Sequence, residues 1–194
     1  MVNEILNVQK RNGRGTEPLN IEKIHEMVEY ACEDITGVSS SQVEMSSGLQ
    51  FYNNMTTDEI QKILIKSASD LISLDNPNYQ YVAARLLLYS LRKQIFRRLW
   101  DHPNIFDHVT KCVDKGIYDE EILTWYDKKD FDRMENWITH ERDYDFTYAG
   151  LQQVVDKYLV QDRSTGEVFE TPQFMYMMIS ATLFAKYPKN KRMS

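Results

Sequence analysis

Residues 8–24, V-Q-K-R-N-G-R-G-T-E-P-L-N-I-E-K-I, constrain the fold more than any other stretch, because they switch from strand period to helix period around a tight turn. Val8 to Arg11 run toward Asn12-Gly13, a dipeptide that supplies the positive φ angles of a hairpin turn. Gly15 adds a second loose point, Pro18 fixes φ, and Asn20 stands where a helix N-cap belongs. The expected product is a strand, a turn, a return strand and the first turn of a helix. Lys10, Arg11 and Lys23 flank the unpaired N–H groups of that helix start. Backbone donors, helix dipole and point charges together suit a polyphosphate. Taken alone, a basic hairpin beside a helix is more often a solvated turn. Gly13-Arg14-Gly15 is not a G-x-G-x-x-G fingerprint, and no G-x-x-x-x-G-K-[ST] loop occurs, so a nucleotide site here is of another kind.

Only seven glycines and five prolines punctuate 194 residues, and long stretches carry helical periodicity. This predicts a mainly α chain with two small β-hairpins, as one ordinary domain or two small ones. With 42% apolar residues a packed core is within reach. A net charge of −6 argues against a nucleic-acid groove or an anionic membrane as main partner, though it leaves room for a local basic pocket. Cys32 and Cys112 lack partner spacing and suit a reducing cytosol. Neither a signal peptide nor a run of membrane-spanning length is read, and the expected location is cytoplasmic.

Apolar positions Ile21, Ile24, Val28, Ala31 and Ile35 predict a helix over about 21–35, stopped by Gly37. A second helix is predicted from Ser39 to about Phe51, with Gln42 as capping-box partner. Thr56 and Glu59 form another capping box, opening a helix over about 58–74. Asn76 and Pro77 start a long helix to roughly Trp100, whose far end is basic: Arg92, Lys93, Arg97 and Arg98. That charge reads equally as a solvated, dipole-stabilising helix end. Pro103 breaks the pattern and suggests a boundary near 97–103. Helices follow at about 104–115, 119–126, 128–138 and 147–158, then a hairpin over 158–170 around Ser164-Thr165-Gly166, and an apolar helix over 172–186. Phe174, Met175, Met177, Met178, Ile179, Leu183 and Phe184 predict burial of that helix on most sides, by this chain or by another polypeptide. The basic end after it carries no packing signal.

No catalytic constellation is read. His25, His102, His108 and His140 lack metal-ligand spacing, and His140 beside Glu141, Arg142 and Asp143 reads as part of an ion-pair network. Neither a carboxylate pair nor a Cys/His or Ser/His arrangement stands out, and the cysteines read as buried small side chains.

The motifs V-x-K-R-N-G…E-P-L-N-I-E-K-I, M-T-T-D-E-I and D-N-P-N-Y-Q-Y-V-A-A-R-L-L-L-Y-S-L-R-K resemble the ATP-cone, the regulatory nucleotide-binding domain of class I ribonucleotide reductase large subunits. F-D-H-V, G-x-Y-D, H-E-R-D-x-D-F-T-Y and K-Y-L-V-Q-D-R-S-T-G-E-V-F-E-T-P-Q-F resemble the segment that leads into that enzyme's α/β catalytic barrel. The resemblance, of phage or bacterial type, covers nearly the whole chain. It implies an ATP-cone at 1–97, a β-hairpin lid over a four-helix bundle, followed at 98–194 by the helical N-terminal part of the catalytic domain. Carried over, the family's nucleotide contacts fall on Lys10, on Glu17, Pro18, Leu19, Asn20, Ile21, Glu22 and Lys23, on Thr57 and on Lys93. The implied ligand is ATP or dATP, with magnesium accompanying it. The turn carries an extra residue around Arg14-Gly15. Pro18 stands for an arginine, Tyr30 for a tryptophan and Gln61 for a histidine linked to dATP sensing. These departures bear on shut-off by dATP more than on binding of ATP.

The resemblance further implies a split or truncated large chain without turnover of its own. Its expected partners are a chain carrying the barrel, the radical-generating small subunit and further copies of the assembled large subunit. The alternative is a free-standing helical interaction or regulator module with a vestigial cone.

Overall fold

The computed structural model describes residues 6–10 and 15–192. The turn expected at Asn12-Gly13, and the charges of Arg11 and Arg14, lie outside the described residues. The chain divides into two compact units, one comprising Met1–Ser90 with Tyr144–Gln152, the other Leu91–Asp143 with Gln153–Ser194. Helices dominate both, as expected.

In the first unit, β1 (Asn7–Gln9) pairs antiparallel with β2 (Thr16–Pro18), so the expected hairpin forms, with Val8 opposite Glu17. A third strand, β3 (Met55–Thr56), lies parallel to β1, with Val8 opposite Met55 and Gln9 opposite Thr56. This strand was not foreseen. Its two residues show no alternation, and the whole signal is an apolar Met55 ahead of a cap. Val8 and Met55 face the core.

Helix α1 (Ile21–Cys32) starts as expected, with Asn20 Oδ1 accepting from Lys23 N at 3.0 Å. It stops well short of Ile35, because Glu33 is extended and Asp34 adopts a left-handed φ of 58°. Its last carbonyls are capped from afar: Arg85 Nη1 donates to Glu33 O at 2.5 Å. Ile21, counted with the apolar face, is 71% exposed, and Met27 takes its place in the core. Helix α2 (Ser40–Gly48) lacks the expected Ser39–Gln42 capping box. Tyr79 replaces it: its hydroxyl accepts from Ser39 N at 3.0 Å and donates to Gln42 Oε1 at 2.6 Å.

Helix α3 (Thr57–Asp70) carries the predicted box, with Thr56 Oγ1 accepting from Glu59 N and Glu59 Oε2 accepting from Thr56 N. It ends before the expected Leu74, leaving Ile72 and Leu74 exposed. Helix α4 (Tyr79–Phe96) begins after a turn in which Gln80 N donates to Pro77 O, and ends where Arg97 takes a φ of 63°. Val28, Ala31, Val43, Leu64, Ala68, Val82, Ala83 and Leu86 fill the core of the first unit.

In the second unit, α5 (Ile105–Asp114), α6 (Glu121–Trp125), α7 (Lys128–Glu135) and α9 (Pro172–Phe184) build a core that includes Ile105, Val109, Phe131, Met134 and Phe174, and a 3-10 helix (His140–Asp145) runs to the border with the first unit. Helix α8 (Tyr148–Lys157) continues from the first unit into the second. The second hairpin shrinks to one bridge, Gln161 to Val168. Asp162 Oδ1 organises its turn by accepting from Ser164 N and Thr165 N. This chain covers helix α9 only in part, since Tyr176, Ile179, Leu183 and Phe184 are exposed. Contrary to expectation, the basic end is packed. In α10 (Lys189–Arg192), Lys189 Nζ meets Asp127 Oδ2 at 2.7 Å and Arg192 Nη1 donates to Trp125 O at 2.7 Å.

Two charges differ from the sequence reading. Arg92 is buried, not solvated, and its Nη2 donates to His140 O at 3.1 Å. Among the described residues the His140 ring joins no ion pair; it stacks on His102 with centroids 3.8 Å apart. Asp143, not His140, faces the guanidinium, at 3.8 Å.

Candidate functional site

The first unit brings most of the expected contact residues to one small sheet. Central β1 links the hairpin to β3, so the start of α1 follows β2 and the start of α3 follows β3. Further hydrogen bonds fix this framework: Leu19 N donates to Leu6 O at 2.7 Å, and Asn54 N to Asn7 O at 2.7 Å. Asn53 Oδ1 accepts from Asn7 N at 2.9 Å. A sheet this short relies on such flanking bonds for its geometry.

Lys10 leaves β1 with its backbone N donating to Gly15 O, and Gly15 takes a φ of 97° that suits glycine. Lys10 Nζ lies 2.6 Å from Glu17 Oε2, so two expected contact residues pair with each other across the hairpin. Pro18 and Leu19 carry the chain into the Asn20 cap. Ile21, Glu22 and Lys23 form the exposed first turn of α1. Thr57, half-buried, opens α3 directly after the β3 cap. Lys93 lies half-buried in the last turn of α4, within the second unit.

The electrostatics of the two helix starts differ. The N-terminus of α3 already holds a carboxylate, since Glu59 accepts from Thr56 N, Thr56 Oγ1 and the Tyr52 hydroxyl. These bonds, the one from Thr56 N first, lower the Glu59 pKa. That end suits a neutral hydrogen-bonding group better than a phosphate. The start of α1 carries Lys23, whereas Lys10 lies at the opposite, Gly15 end of the hairpin. The far half of α1 repels anions, for Glu26, Glu29 and Glu33 line a cavity of about 510 Å³ with Tyr30 and Cys32. His25 bridges Glu29 at 3.2 Å and Glu44 at 2.7 Å, and the hydrogen bond with Glu44 raises its pKa.

Gln61, one turn beyond Thr57, is buried with its Nε2 3.1 Å from Met27 Sδ. Its Oε1 has no hydrogen-bond partner among the described residues. Among those residues no group of three or more His, Cys, Asp or Glu could hold a metal. Burial pushes both thiols up to about 11, so Cys32 and Cys112 stay protonated near neutrality. No helix of the described residues is long and apolar enough to cross a membrane.

Two family patterns match the chain: ATP cone domain at residues 6–94, and ribonucleotide reductase, all-alpha domain, at residues 144–193. Among curated proteins, the ribonucleoside-diphosphate reductase subunit alpha of Buchnera aphidicola (subsp. Acyrthosiphon pisum) is 48% identical over 96% of this chain and 24% of that protein. Subunit alpha of reductase 1 from Escherichia coli K12 is 44% identical over 99% of this chain and 25% of its own length. The subunit alpha of Enterobacteria phage T4 is 38% identical over 97% of this chain and 24% of its own length. The chain thus spans about a quarter of the length of the curated relatives it matches. By these matches, and by a helical fold with a small three-stranded sheet at its start, the chain belongs to the ribonucleotide reductase family, as the ATP-cone and all-alpha region of its alpha subunit.

Proposed function

We propose that the first unit binds ATP or dATP as an allosteric effector, through Lys10, the run Glu17–Lys23 and Thr57. One observation carries this reading: β1 pairs with both β2 and β3, so the basic hairpin, the α1 start and the α3 start adjoin one sheet. Lysine charge and the α1 N–H groups take the phosphates, and Thr57 bonds base or sugar. The exposed Ile21 offers an apolar cover for the base. Lys93 is added on the family pattern alone. Magnesium, where present, arrives with the phosphates.

In this reading the whole assembly reduces ribonucleoside diphosphates to deoxyribonucleotides, and this region tunes it. The companion polypeptide carrying the catalytic barrel packs on the exposed apolar side of α9, and a radical-generating small subunit and further alpha copies complete the enzyme. The nucleotide acts by favouring one assembly state over another, in proportion to its differential affinity for them. In this reading the reductive chemistry belongs to the companion polypeptide, and this chain alone is expected to show no turnover. Calorimetric titration with ATP and dATP tests the binding step, and absence of heat at sub-millimolar nucleotide overturns it.

A second reading, an interaction module with a vestigial cone, draws on the Lys10–Glu17 pair, which occupies a phosphate-binding charge. The titration separates the two: a vestigial cone gives no heat with either nucleotide.

A further inference from the structure

The Lys10–Glu17 pair stands on the inner face of the small sheet. Side chains alternate between the two faces of a strand. Val8 and Met55, opposite each other across β1 and β3, are buried and so mark the face turned to the core. Glu17 is opposite Val8 across the hairpin, and Lys10 follows Val8 by two residues, so both share that face. Glu17 is half-buried there, whereas its neighbours Thr16 and Pro18 are exposed. Because Gln9 is opposite Thr56, Lys10 comes level with Thr57 at the α3 start.

Glu17 Oε2 lies 2.6 Å from Lys10 Nζ, the contact distance of a charge-assisted bond. A phosphate oxygen bound to the same ammonium takes a place at that same distance. A carboxylate and a phosphate crowded onto one cation repel each other. The carboxylate of Glu59, held at the α3 start by Thr56 N, adds to that repulsion. Lysine is a compact charge on a flexible stem, so it exchanges one anion for another without rebuilding the hairpin. Both side chains are partly exposed, and a pair in that setting is held loosely. A polyphosphate therefore displaces the carboxylate instead of being shut out.

We infer that Glu17 is a positioning residue that acts against the nucleotide: its carboxylate competes with the phosphates for the Lys10 ammonium and sets the effector affinity below what the site could reach. The inference rests on the nucleotide reading of the first unit, and it assigns one side chain of the contact run an opposing role. The contrary role, in which Glu17 aims Lys10 at the phosphate or itself bonds the ligand, predicts the opposite sign on removing its charge.

The test is a double-mutant cycle on the 194-residue chain, with ATP affinity measured by calorimetry for the unaltered chain, Glu17→Gln, Lys10→Ala and the double variant. Glu17→Gln is expected to tighten ATP binding by about two- to fivefold, the range that release of a loosely held pair allows. In the Lys10→Ala background the same change is expected to give no gain. The urea midpoint is expected to stay put in Glu17→Gln, which a merely structural role of the pair would shift. Heat from Glu17→Gln where the unaltered chain gives none also supports the inference, as its strong form. Unchanged or weaker binding by Glu17→Gln, with the unaltered chain binding ATP, overturns the inference and leaves the nucleotide reading standing. So does an equal gain with and without Lys10, which marks repulsion through space and not competition. Absence of heat from both chains overturns the nucleotide reading and the inference with it.

Discussion

Lys10 Nζ and Glu17 Oε2 lie 2.6 Å apart across the β1–β2 hairpin, with 44% and 42% of their side-chain surfaces exposed. An exposed pair of this kind contributes at most about 1 kcal/mol to folding. A charge-assisted bond to phosphate is worth more, about 1–3 kcal/mol. Lys10→Ala should therefore leave the urea midpoint almost unchanged and weaken ATP binding by about 1–3 kcal/mol in calorimetry. Unchanged ATP affinity in that variant removes Lys10 from the site.

The Tyr79 hydroxyl serves two partners on the α2 side, Ser39 N and Gln42 Oε1. Tyr79→Phe keeps the buried ring and strips both bonds. With a backbone donor and an amide oxygen left in a partly buried place, the expected loss is about 1–3 kcal/mol in urea denaturation. A loss well below that range shows that solvent replaces the hydroxyl.

The same tyrosine shows what could and could not be read beforehand. Local signals were legible: Asn20 and Thr56 cap as their spacing says, and Pro172 opens α9. Ser39 and Gln42 obeyed the same spacing rule, yet a hydroxyl from forty residues along the chain displaced it. Arg85 capping α1 and Arg92 buried under His140 are likewise long-range, and a sequence window holds no trace of either. Strand β3 was hidden because a two-residue strand has no period. At the candidate site, the family motif pointed to Lys10 and Glu17 separately, but their pairing became visible only with the hairpin register.

The second unit should lose stability in mild acid. Burial first of all drives His102 down to about 3, and His108 and His140 to about 4. Unfolded imidazoles titrate near about 6.5, so below that pH the unfolded chain binds protons that the folded one refuses. Their contribution is whole above about 6.5 and declines as pH falls toward the folded values. Two carboxyls act oppositely: burial raises Asp143 to about 6 and also raises Glu170, which the Tyr118 hydroxyl and Val160 N bind. Their protonated forms add stability as pH falls. Three imidazoles outweigh two carboxyls, so unfolding followed by near-ultraviolet circular dichroism should show lower stability at pH 5 than at pH 7. His140→Phe preserves a ring against His102 and should flatten that dependence. An unaltered slope excludes His140 as a contributor.

Asp143 is buried beside Arg92, yet its pKa rises, because desolvation outweighs a guanidinium 3.8 Å away. Its firmest bond is neutral, from Gln173 Nε2 to Oδ1 at 3.0 Å. Asp143→Asn keeps an acceptor for Gln173 and should cost about 1–3 kcal/mol. Asp143→Leu removes that acceptor as well as the counter-charge of buried Arg92, and should cost about 3–5 kcal/mol. Equal losses in urea denaturation would show that the charge of Asp143 matters and its hydrogen bond does not.

Thr56 and Thr57 are adjacent and should separate scaffold from site. Thr56 Oγ1 accepts from Glu59 N at 3.2 Å and donates to Glu59 Oε2 at 2.8 Å, so its hydroxyl belongs to the fold. Thr56→Ala should cost about 1 kcal/mol of stability, as the loss of a capping side chain does elsewhere. The half-buried Thr57 is the first residue of α3, outside that capping box. Thr57→Val preserves its shape and removes only the hydroxyl, so folding should stay within about 0.5 kcal/mol while ATP affinity falls by about 1 kcal/mol or more. If both variants lose stability alike and neither loses nucleotide affinity, the α3 start is scaffold alone, and the proposed site contracts to the hairpin and the first turn of α1.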